Sequence, residues 1–396
     1  MDEYEDKLIA EVEVLRQLKE LPELFERLNQ HSGSELSLQH SLRSEFEPAI
    51  VTTAISLHEA RQKAAGKLPH AEQLWLTRVG LEQATAWDVA HHKAARFPAG
   101  EHVRDLCSGI GVDTAALLSR GPVTAVDISA AMQLRCQWNN EIWNPDAQLD
   151  FLVHDVQCHD LTGKLIHVDP DRRAGRERAV KRLEQYVPNL SWMQKTIQSA
   201  AGGAIKLGPA SNFMQKFPNC EIELISLNGE CREATVWFGS LAGEHSFRAT
   251  HLPTGESISA DPLSAWCPVA EQVGEYLLDP DPAAVRAGLI DLLGEMHSLR
   301  RMDKEDEYLT GDADPNSGFL TAYRVEAVLA NNFREIKRYV RAHPGRDYEI
   351  KCRRLSVDAN AMQKKLPRGD GPIRVLFFVR HNGKARVVVT QRVQNQ

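Results

Sequence analysis

The chain lacks several features that would place it in familiar classes. Its seven cysteines are an odd number with no C-x-x-C pair, which argues against a disulfide framework or a zinc knuckle. No stretch approaches 18 apolar residues, so no membrane-spanning helix is expected. The run MDEYEDKLIAEVEVL is acidic and lacks the basic-then-apolar order of a secretory signal, so a cytoplasmic location is expected. His91 and His92 are adjacent in an expected helix and cannot form an i, i+4 metal pair; no metal site is expected. The Ser and Cys residues have no partner spacing that marks a covalent nucleophile.

What remains is an ordinary composition with an uneven charge. A length of 396 residues, 42% hydrophobic and 26% charged, suits two or three domains with a sizeable core. From Arg334 onward there are 16 Lys or Arg against 5 Asp or Glu, a net of +11, so the preceding residues carry −18. A basic end on an acidic body suits contact with phosphates. The alternative is a solvated sheet surface that happens to be basic.

Residues 1 to about 95 show no convincing strand. Leu15, Leu18, Leu21, Leu24, Phe25 and Leu28 predict amphipathic helices despite Pro22. Ile55 to Phe97 is again helical in composition, with Gly66, Pro69 and Gly80 expected to break it into short pieces. The texture then changes to apolar runs alternating with mixed stretches. Expected strands are Val103–Leu106, Val123–Val126, Leu149–Val153, Leu165–Val168 and Gly203–Leu207, with helices at Asp113–Ser119 and Ser129–Trp143. That rhythm predicts a mostly parallel, doubly wound α/β sheet. It ends differently, because Ile222–Leu227, Asn228-Gly229 and Arg232–Phe238 read as an antiparallel hairpin. A second hairpin is expected around His251–Ile258, a helix over Asp281–Leu299 and another near Tyr323–His343. Strands at Tyr348–Leu355, Ile373–Arg380 and Ala385–Gln391, the last two joined by Asn382-Gly383, would complete a small α+β domain.

Two short runs carry the chemistry. In Asp105-Leu-Cys-Ser-Gly-Ile-Gly-Val-Asp113, Gly109 and Gly111 permit a sharp turn and close approach of a ligand. The helix beginning near Asp113 would bring free N–H groups beside them. Asp105 could meet an amine-bearing ligand tail, and Asp127, at the end of the second strand, could accept from both hydroxyls of a ribose. G-x-G alone is a weak signal, and Thr114 stands where a dinucleotide pattern needs its third glycine. A pyrophosphate would also meet Asp105 and Asp113. S-adenosylmethionine carries a sulfonium and an amine and no phosphate, so the acid-rich loop fits it better. The alternative is a tight strand-to-helix turn capped by Asp113. Asp155 could accept from an adenine amino group, with Val156 beside it, or could cap a helix. Ile128 is placed for adenine packing or for the core, and Cys107 for the cofactor loop or the core beneath it.

The second run, Asp169-Pro-Asp-Arg-Arg173, follows the strand Leu165–Val168. A carboxylate on a proline-stiffened chain with exposed carbonyls can hold an N–H and aim its nitrogen at a methyl group. Asp169 and Pro170 are therefore the candidate catalytic pair. Arg172 and Arg173, with Arg176, could fork onto substrate phosphates or pair with Asp169 or Asp171. Lys206 ends the fifth strand as a substrate anchor or a snorkelling lysine.

These residues resemble a known group. Asp105 to Asp113, Val126-Asp127, Asn139-Asn140, Asp155 and Asp169-Pro170 look like the class I S-adenosylmethionine-dependent methyltransferases. More closely, the chain resembles bacterial methyltransferase-like proteins with a C-terminal THUMP-like domain. That match lies in Arg61–Leu68 with Thr77–Thr85, in Val168–Arg173 and in Tyr348–Arg354. The helical prelude is similar to that of the cap trimethylguanosine synthases, which methylate an exocyclic guanine nitrogen. The resemblance implies a Rossmann-like seven-stranded methyltransferase sheet with an N-terminal helical region and a small C-terminal α+β domain. It implies cofactor contacts from Asp105, Cys107, Gly109, Gly111, Asp113, Asp127, Ile128, Asp155 and Val156. Asp169 and Pro170 match the first half of the Asp/Asn-Pro-Pro-aromatic run of base N-methyltransferases, whereas Asp171 and Arg172 depart from its second half.

A THUMP-like domain implies RNA contact, with Lys351, Arg353 and Arg354 on or near the RNA-facing surface; strand alternation puts Lys351 and Arg353 on one side. The expected segments are 1–97 (helical), 98–245 (methyltransferase), 246–322 (connecting) and 323–396 (THUMP-like). Three functions stay open: an RNA base methyltransferase, a methyltransferase for a small molecule or protein, and a cofactor-binding RNA-binding protein with little catalytic activity.

Overall fold

The computed structural model describes residues 2–30, 35–173, 175–176 and 178–393. It divides into two compact units, Met1–Cys220 with Ala234–Gly243, and Glu221–Glu233 with Glu244–Gln396. The first unit opens with six helices: α1 (Asp2–Lys19), α2 (Pro22–Gln30), α3 (Glu35–Arg43), α4 (Pro48–Ala64), α5 (Arg78–Gln83) and α6 (Trp87–Ala94). An alternating series follows: β1 (Val103–Leu106), α7 (Val112–Leu118), β2 (Val123–Asp127), α8 (Ala130–Trp143), β3 (Leu149–Val153), β4 (Leu165–Val168), α9 (Leu190–Ser199) and β5 (Gly202–Leu207). Next come β6 (Glu221–Leu227) and β7 (Glu230–Gly239), the stretch where the chain passes between units. Asn228 and Gly229, at φ 54° and 78°, give the expected two-residue turn between them.

The first unit is the doubly wound α/β fold that the alternation predicts. β3, β2, β1, β4 and β5 lie parallel in that order, and β7 runs antiparallel to β5. β1 therefore has β2 on one side and β4 on the other. The loops that leave the C-terminal ends of β1 and β4 open a crevice at this switch point, where such sheets bind ligands.

The helical prelude is built on the predicted periodicity. Leu15, Leu18, Leu24 and Leu28 are 5% exposed or less. Pro22 does not interrupt the pattern, because it opens α2, where a missing N–H costs nothing. Gly80 also differs from expectation: it lies inside α5 instead of breaking it. A Cβ there would lie 2.7 Å from Ile110 Cγ2, so the glycine lets α5 rest on the β1–α7 loop. Asn139 of α8 fixes the same loop, accepting from Trp75 N (2.6 Å) and donating to Ile110 O (2.9 Å).

The second unit continues with β8 (Phe247–Leu252), β9 (Glu256–Ala260), β10 (Tyr276–Pro280), α10 (Pro282–Ala287), α11 (Ile290–Met296), β11 (Arg300–Arg301) and β12 (Leu309–Gly311). It ends with β13 (Leu320–Ala330), α12 (Phe333–Ala342), β14 (Gly345–Cys352), α13 (Ala359–Lys365), β15 (Arg368–His381) and β16 (Lys384–Arg392). One sheet has the order β11-β12-β10-β13-β16-β15-β14. Two helix expectations need correction. Asp281–Leu299 is two helices, because Gly288 takes φ 72° and closes α10 after Asp281 has capped it. Tyr323–His343 begins as strand: residues 320–330 alternate in burial and pair with both β10 and β16, leaving only Phe333–Ala342 helical.

Beneath the β1–α7 loop, buried polar groups meet. Asp105 and His167 face each other across β1 and β4, with Nδ1 2.8 Å from Asp105 Oδ1. Thr114 donates to the other Asp105 oxygen. Lys93 of α6, 1% exposed, places Nζ 2.9 Å from Asp113 Oδ1 and 3.2 Å from His167 Nε2. An ammonium only donates, so His167 Nε2 accepts and Nδ1–H is left for Asp105. Thr85 donates to Asp113 Oδ2 (2.5 Å). Burial pushes the Asp113 carboxyl up, yet Lys93, His167, Lys206 and the Thr85 hydrogen bond together outweigh it and hold the group well below the usual carboxylate range. Its stabilising contribution is thus present at neutral pH and is lost only as pH falls through that lowered value. Lys93→Met strands a buried carboxylate and should cost about 3–5 kcal/mol of stability at pH 7 in urea unfolding. A loss below about 1 kcal/mol would show that solvent reaches Asp113.

Candidate active site

A cavity of about 340 Å³ lies over the C-terminal ends of β1, β2 and β4, lined wholly by the first unit. Its size is that of a small-molecule site. Four groups of residues wall it: the α5 segment from Val79 to Thr85, the β1–α7 loop with Asp127 and Ile128, the segment Asp155–Gln157, and the run Asp169–Arg172 with Val187 and Pro188.

The first wall is shaped by backbone that only small residues tolerate. Gly111 takes φ 86°, and a Cβ there would collide with Asn140 Nδ2 and Cys136 Sγ at 2.6 and 2.7 Å. Gly109 has open space on its Cβ side, and its N–H donates to Asp127 Oδ2 (3.0 Å). Ser129 N donates to Asp127 Oδ1 (2.8 Å). Each oxygen keeps a second lone pair, so the carboxylate is aimed by the backbone and still able to accept from a diol. Burial pushes its pKa up, against these two N–H groups. Ile128, expected for adenine packing or the core, is 62% exposed and lines the cavity, so it is not a core residue. Asp155 caps a short 3₁₀ turn through Oδ1, which accepts from Gln157 N (2.9 Å), and Asp155 and Val156 both line the cavity. Cys107 lines it at φ 61°, and burial with the nearby Asp127 pushes its thiol well up, away from nucleophilic thiolate chemistry.

The two loop acids do not sit as expected. Asp105 is 1% exposed, does not line the cavity, and is committed to His167 and Thr114. Asp113 touches the cavity, but its oxygens hold Lys93 and Thr85. The carboxylates that disfavour a pyrophosphate here are the others of the lining, Asp127, Asp155, Asp169 and Asp171.

At the opposite wall Asp169 lies beside Pro170. Lys206, on β5, is 4% exposed and donates to Asp169 Oδ2 (2.7 Å) and to Gln83 O (3.0 Å). It is a buried partner of Asp169 instead of an exposed anchor. Burial pushes the Asp169 carboxyl up, with Lys206 restraining the rise. Gln83 also donates to Asp171 Oδ1 (3.1 Å), so α5 clamps the run. Arg173 pairs with Glu82 (2.8 Å), neither with Asp169 nor with Asp171 as weighed from sequence, though its backbone N–H does donate to Asp171. Arg172 lines the cavity, and its guanidinium forms no ion pair or hydrogen bond among the described residues.

In the second unit the expected RNA-facing cations, two half-buried and Arg354 exposed, are all paired with acids. Lys351 and Arg353 do share one side of β14, where both bind Asp279 at 2.8 Å. Arg353 also reaches Glu307 (3.2 Å) and Pro280 O (2.7 Å), and Arg354 binds Glu307. Their acids come from segments distant in sequence. The exposed basic stripe is on α12. Arg334, Lys337, Arg338 and Arg341 follow the i, i+3, i+4, i+7 spacing of one face, while Ile336 and Val340 are buried on the other. Among the described residues these four make no ion pair.

Several residues here escaped a reading by chemistry alone: Lys93, His167, Glu82, Gln83, Val187 and Pro188. Glu82 and Gln83 fall in the Thr77–Thr85 run that carries the closer resemblance, which was their only signal. No described helix is long and apolar enough to cross a membrane. Among the described residues no group of three or more His, Cys, Asp or Glu is placed to hold a metal.

Comparison with known proteins identifies relatives of this chain. Residues 320–392 match the family model "THUMP domain-like". The chain is 33% identical over 345 residues to an uncharacterized S-adenosylmethionine-dependent methyltransferase of Mycobacterium tuberculosis strain CDC 1551 / Oshkosh, covering 83% of this chain and 92% of that one. A counterpart in strain H37Rv matches over the same shares with the same identity. The crystal structure of a methyltransferase candidate from Porphyromonas gingivalis W83 superposes with a TM-score of 0.73 at 18% identity, over 88% of this chain and 92% of that one, a likeness of fold. The Asp127 cradle, the glycine loop and the length of the match to these relatives converge, and the chain belongs to the S-adenosylmethionine-dependent methyltransferases.

Proposed function

We propose that this enzyme methylates a base nitrogen in RNA. The observation that carries the proposal is Asp169: it shares the cavity with Asp127 and Ile128, one oxygen is held by Lys206, and the other has no partner among the described residues. S-adenosylmethionine supplies a methyl group already activated by its sulfonium. Asp127 holds the ribose hydroxyls, Ile128 and Val156 flank the adenine, and Asp155 accepts from its amino group. The loop through Cys107, Gly109 and Gly111 follows the methionine end. Asp105 and Asp113 support that loop from below through Lys93 and His167. The free oxygen of Asp169 and the carbonyl edge at Pro170 orient the substrate N–H, and the carboxylate stabilises positive charge developing on nitrogen. RNA as the substrate is supported by the THUMP-like match and by the α12 stripe of unpaired cations, which suits a phosphate backbone. Lys351 and Arg353 support that unit from within, and Arg354 stands at its rim.

Labelled S-adenosylmethionine, incubated with total RNA from cells lacking the protein and followed by nucleoside analysis, should yield one methylated base. Label transferred only to non-RNA material would favour the small-molecule or protein reading. Asp127→Ala should weaken cofactor binding about 10- to 100-fold in calorimetry, the loss of one or two charge-assisted hydrogen bonds. Unchanged affinity would remove the ribose role.

Asp169→Ala should lower kcat far more than cofactor affinity; equal losses would make it a cofactor support. Because burial raises the Asp169 pKa, the carboxylate takes up its proton at higher pH than usual. Transfer should therefore fall, as pH is lowered, before the ordinary carboxylate range is reached. Lys206→Met removes the restraint and should move this acid limb of kcat/KM to still higher pH; an unmoved limb would deny Lys206 that role. Replacing Arg334, Lys337, Arg338 and Arg341 with Gln should weaken RNA binding. It should also flatten the slope of log affinity against log salt by about 0.7 for each phosphate that is no longer neutralised.

A further inference from the structure

The run Asp169–Arg172 departs from the base N-methyltransferase pattern at its fourth position, where an aromatic ring would stack on the target base. We propose that the guanidinium plane of Arg172 takes that ring's place, so that the base lies against Arg172 while Asp169 holds its N–H. This rests on the proposed use of the Asp169 end of the cavity by a nucleobase.

Four observations place Arg172 for this. It lines the cavity with Asp169, Pro170, Val187 and Pro188. Its backbone is fixed: the Arg172 carbonyl accepts from Val180 N (2.8 Å), while Asp171 and Val187 exchange backbone hydrogen bonds of 2.8 and 3.0 Å. Its neighbour Arg173 is bound to Glu82, whereas the Arg172 guanidinium has no ion pair or hydrogen bond among the described residues. Finally, at Gly208, directly after β5, a Cβ would lie 3.0 Å from Arg172 Nη1, 3.1 Å from Ser211 Oγ and 3.4 Å from Tyr186 OH. The missing side chain leaves room for the guanidinium against this backbone, beside the two hydroxyls.

A guanidinium is flat, weakly hydrated and able to stack, and bases splayed from RNA stack on arginine as well as on aromatic rings. The adjoining wall is apolar: Pro170, Pro188 and Val187, which is 49% exposed. The same guanidinium would also bind a phosphate, but the lining carries Asp127, Asp155, Asp169 and Asp171, which disfavour an anion in this cavity. A neutral base with N–H donors meets no such penalty.

The test uses the full chain saturated with S-adenosylhomocysteine, whose affinity also reports that each variant is folded. Binding of adenosine, guanosine, cytidine and uridine is titrated by NMR, with ribose 5-phosphate as the anionic probe. At least one nucleoside should bind the wild type. Arg172→Ala and Arg172→Lys should weaken it about 10- to 100-fold, the usual cost of losing one stacking partner. Arg172→Tyr should stay within about threefold of the wild type. Retention in Arg172→Lys with loss in Arg172→Tyr, binding of ribose 5-phosphate through Arg172, an unaffected Arg172→Ala, or no nucleoside bound at all would each overturn the proposal. RNA that stays unmethylated while the stacking pattern holds would instead remove RNA as the substrate and leave Arg172 its role.

Discussion

Two carboxylates, Asp105 and Asp113, lie under one loop with almost no access to water, and the fold tolerates them because Lys93 and His167 stand between them. A buried carboxylate without a partner would cost several kcal/mol, enough to endanger a marginally stable domain. Much else follows from this constraint. α6 must pack where Lys93 can reach Asp113. β1 and β4 must keep the register that sets Asp105 opposite His167. The loop above them is thereby fixed, and with it the Gly109 N–H that aims Asp127.

The same logic extends to the substrate side. Lys206 meets Asp169 from β5, and Gln83 ties Lys206 and Asp171 to α5. The helical prelude is thus part of the active site: it supplies the cation beneath the cofactor loop and the clamp on the Asp169 run. Both halves of the cavity are positioned mainly by side chains behind its walls, Lys93, His167 and Lys206, which hold the lining loops in place.

The basic C-terminal module illustrates how little net charge says about where charge is available. Its +11 is partly cancelled within the second unit, since Asp279, Glu307 and Glu326 bind Lys351, Arg353, Arg354 and Arg374. What survives at the surface includes α12, whose apolar face is buried and whose cations form no ion pair among the described residues.

Strand positions, the two Asn-Gly turns, the glycine loop and the strand-end position of Asp127 were legible because each depends on residues close together in the chain. The Gly109 N–H that aims Asp127 comes instead from 18 residues away. Periodicity, turn chemistry and strand-end acids are local properties. The helical region was also legible, although Pro22 and Gly80 took roles as a helix start and a close-packing site. Residues 323–330 were misread because their apolar spacing fits either period, and pairing with β10 and β16 decided for strand. The pairings of Asp105 with His167, Lys206 with Asp169, Arg173 with Glu82, and Lys351 and Arg353 with Asp279 could not be read, since each joins residues far apart along the chain. The sequence by itself determined the fold class and the residue types at the cofactor loop, because strand ends and glycines act locally. Only the tertiary structure decided which charges are spent on one another and which face the ligand, because a Coulomb interaction depends on distance in space.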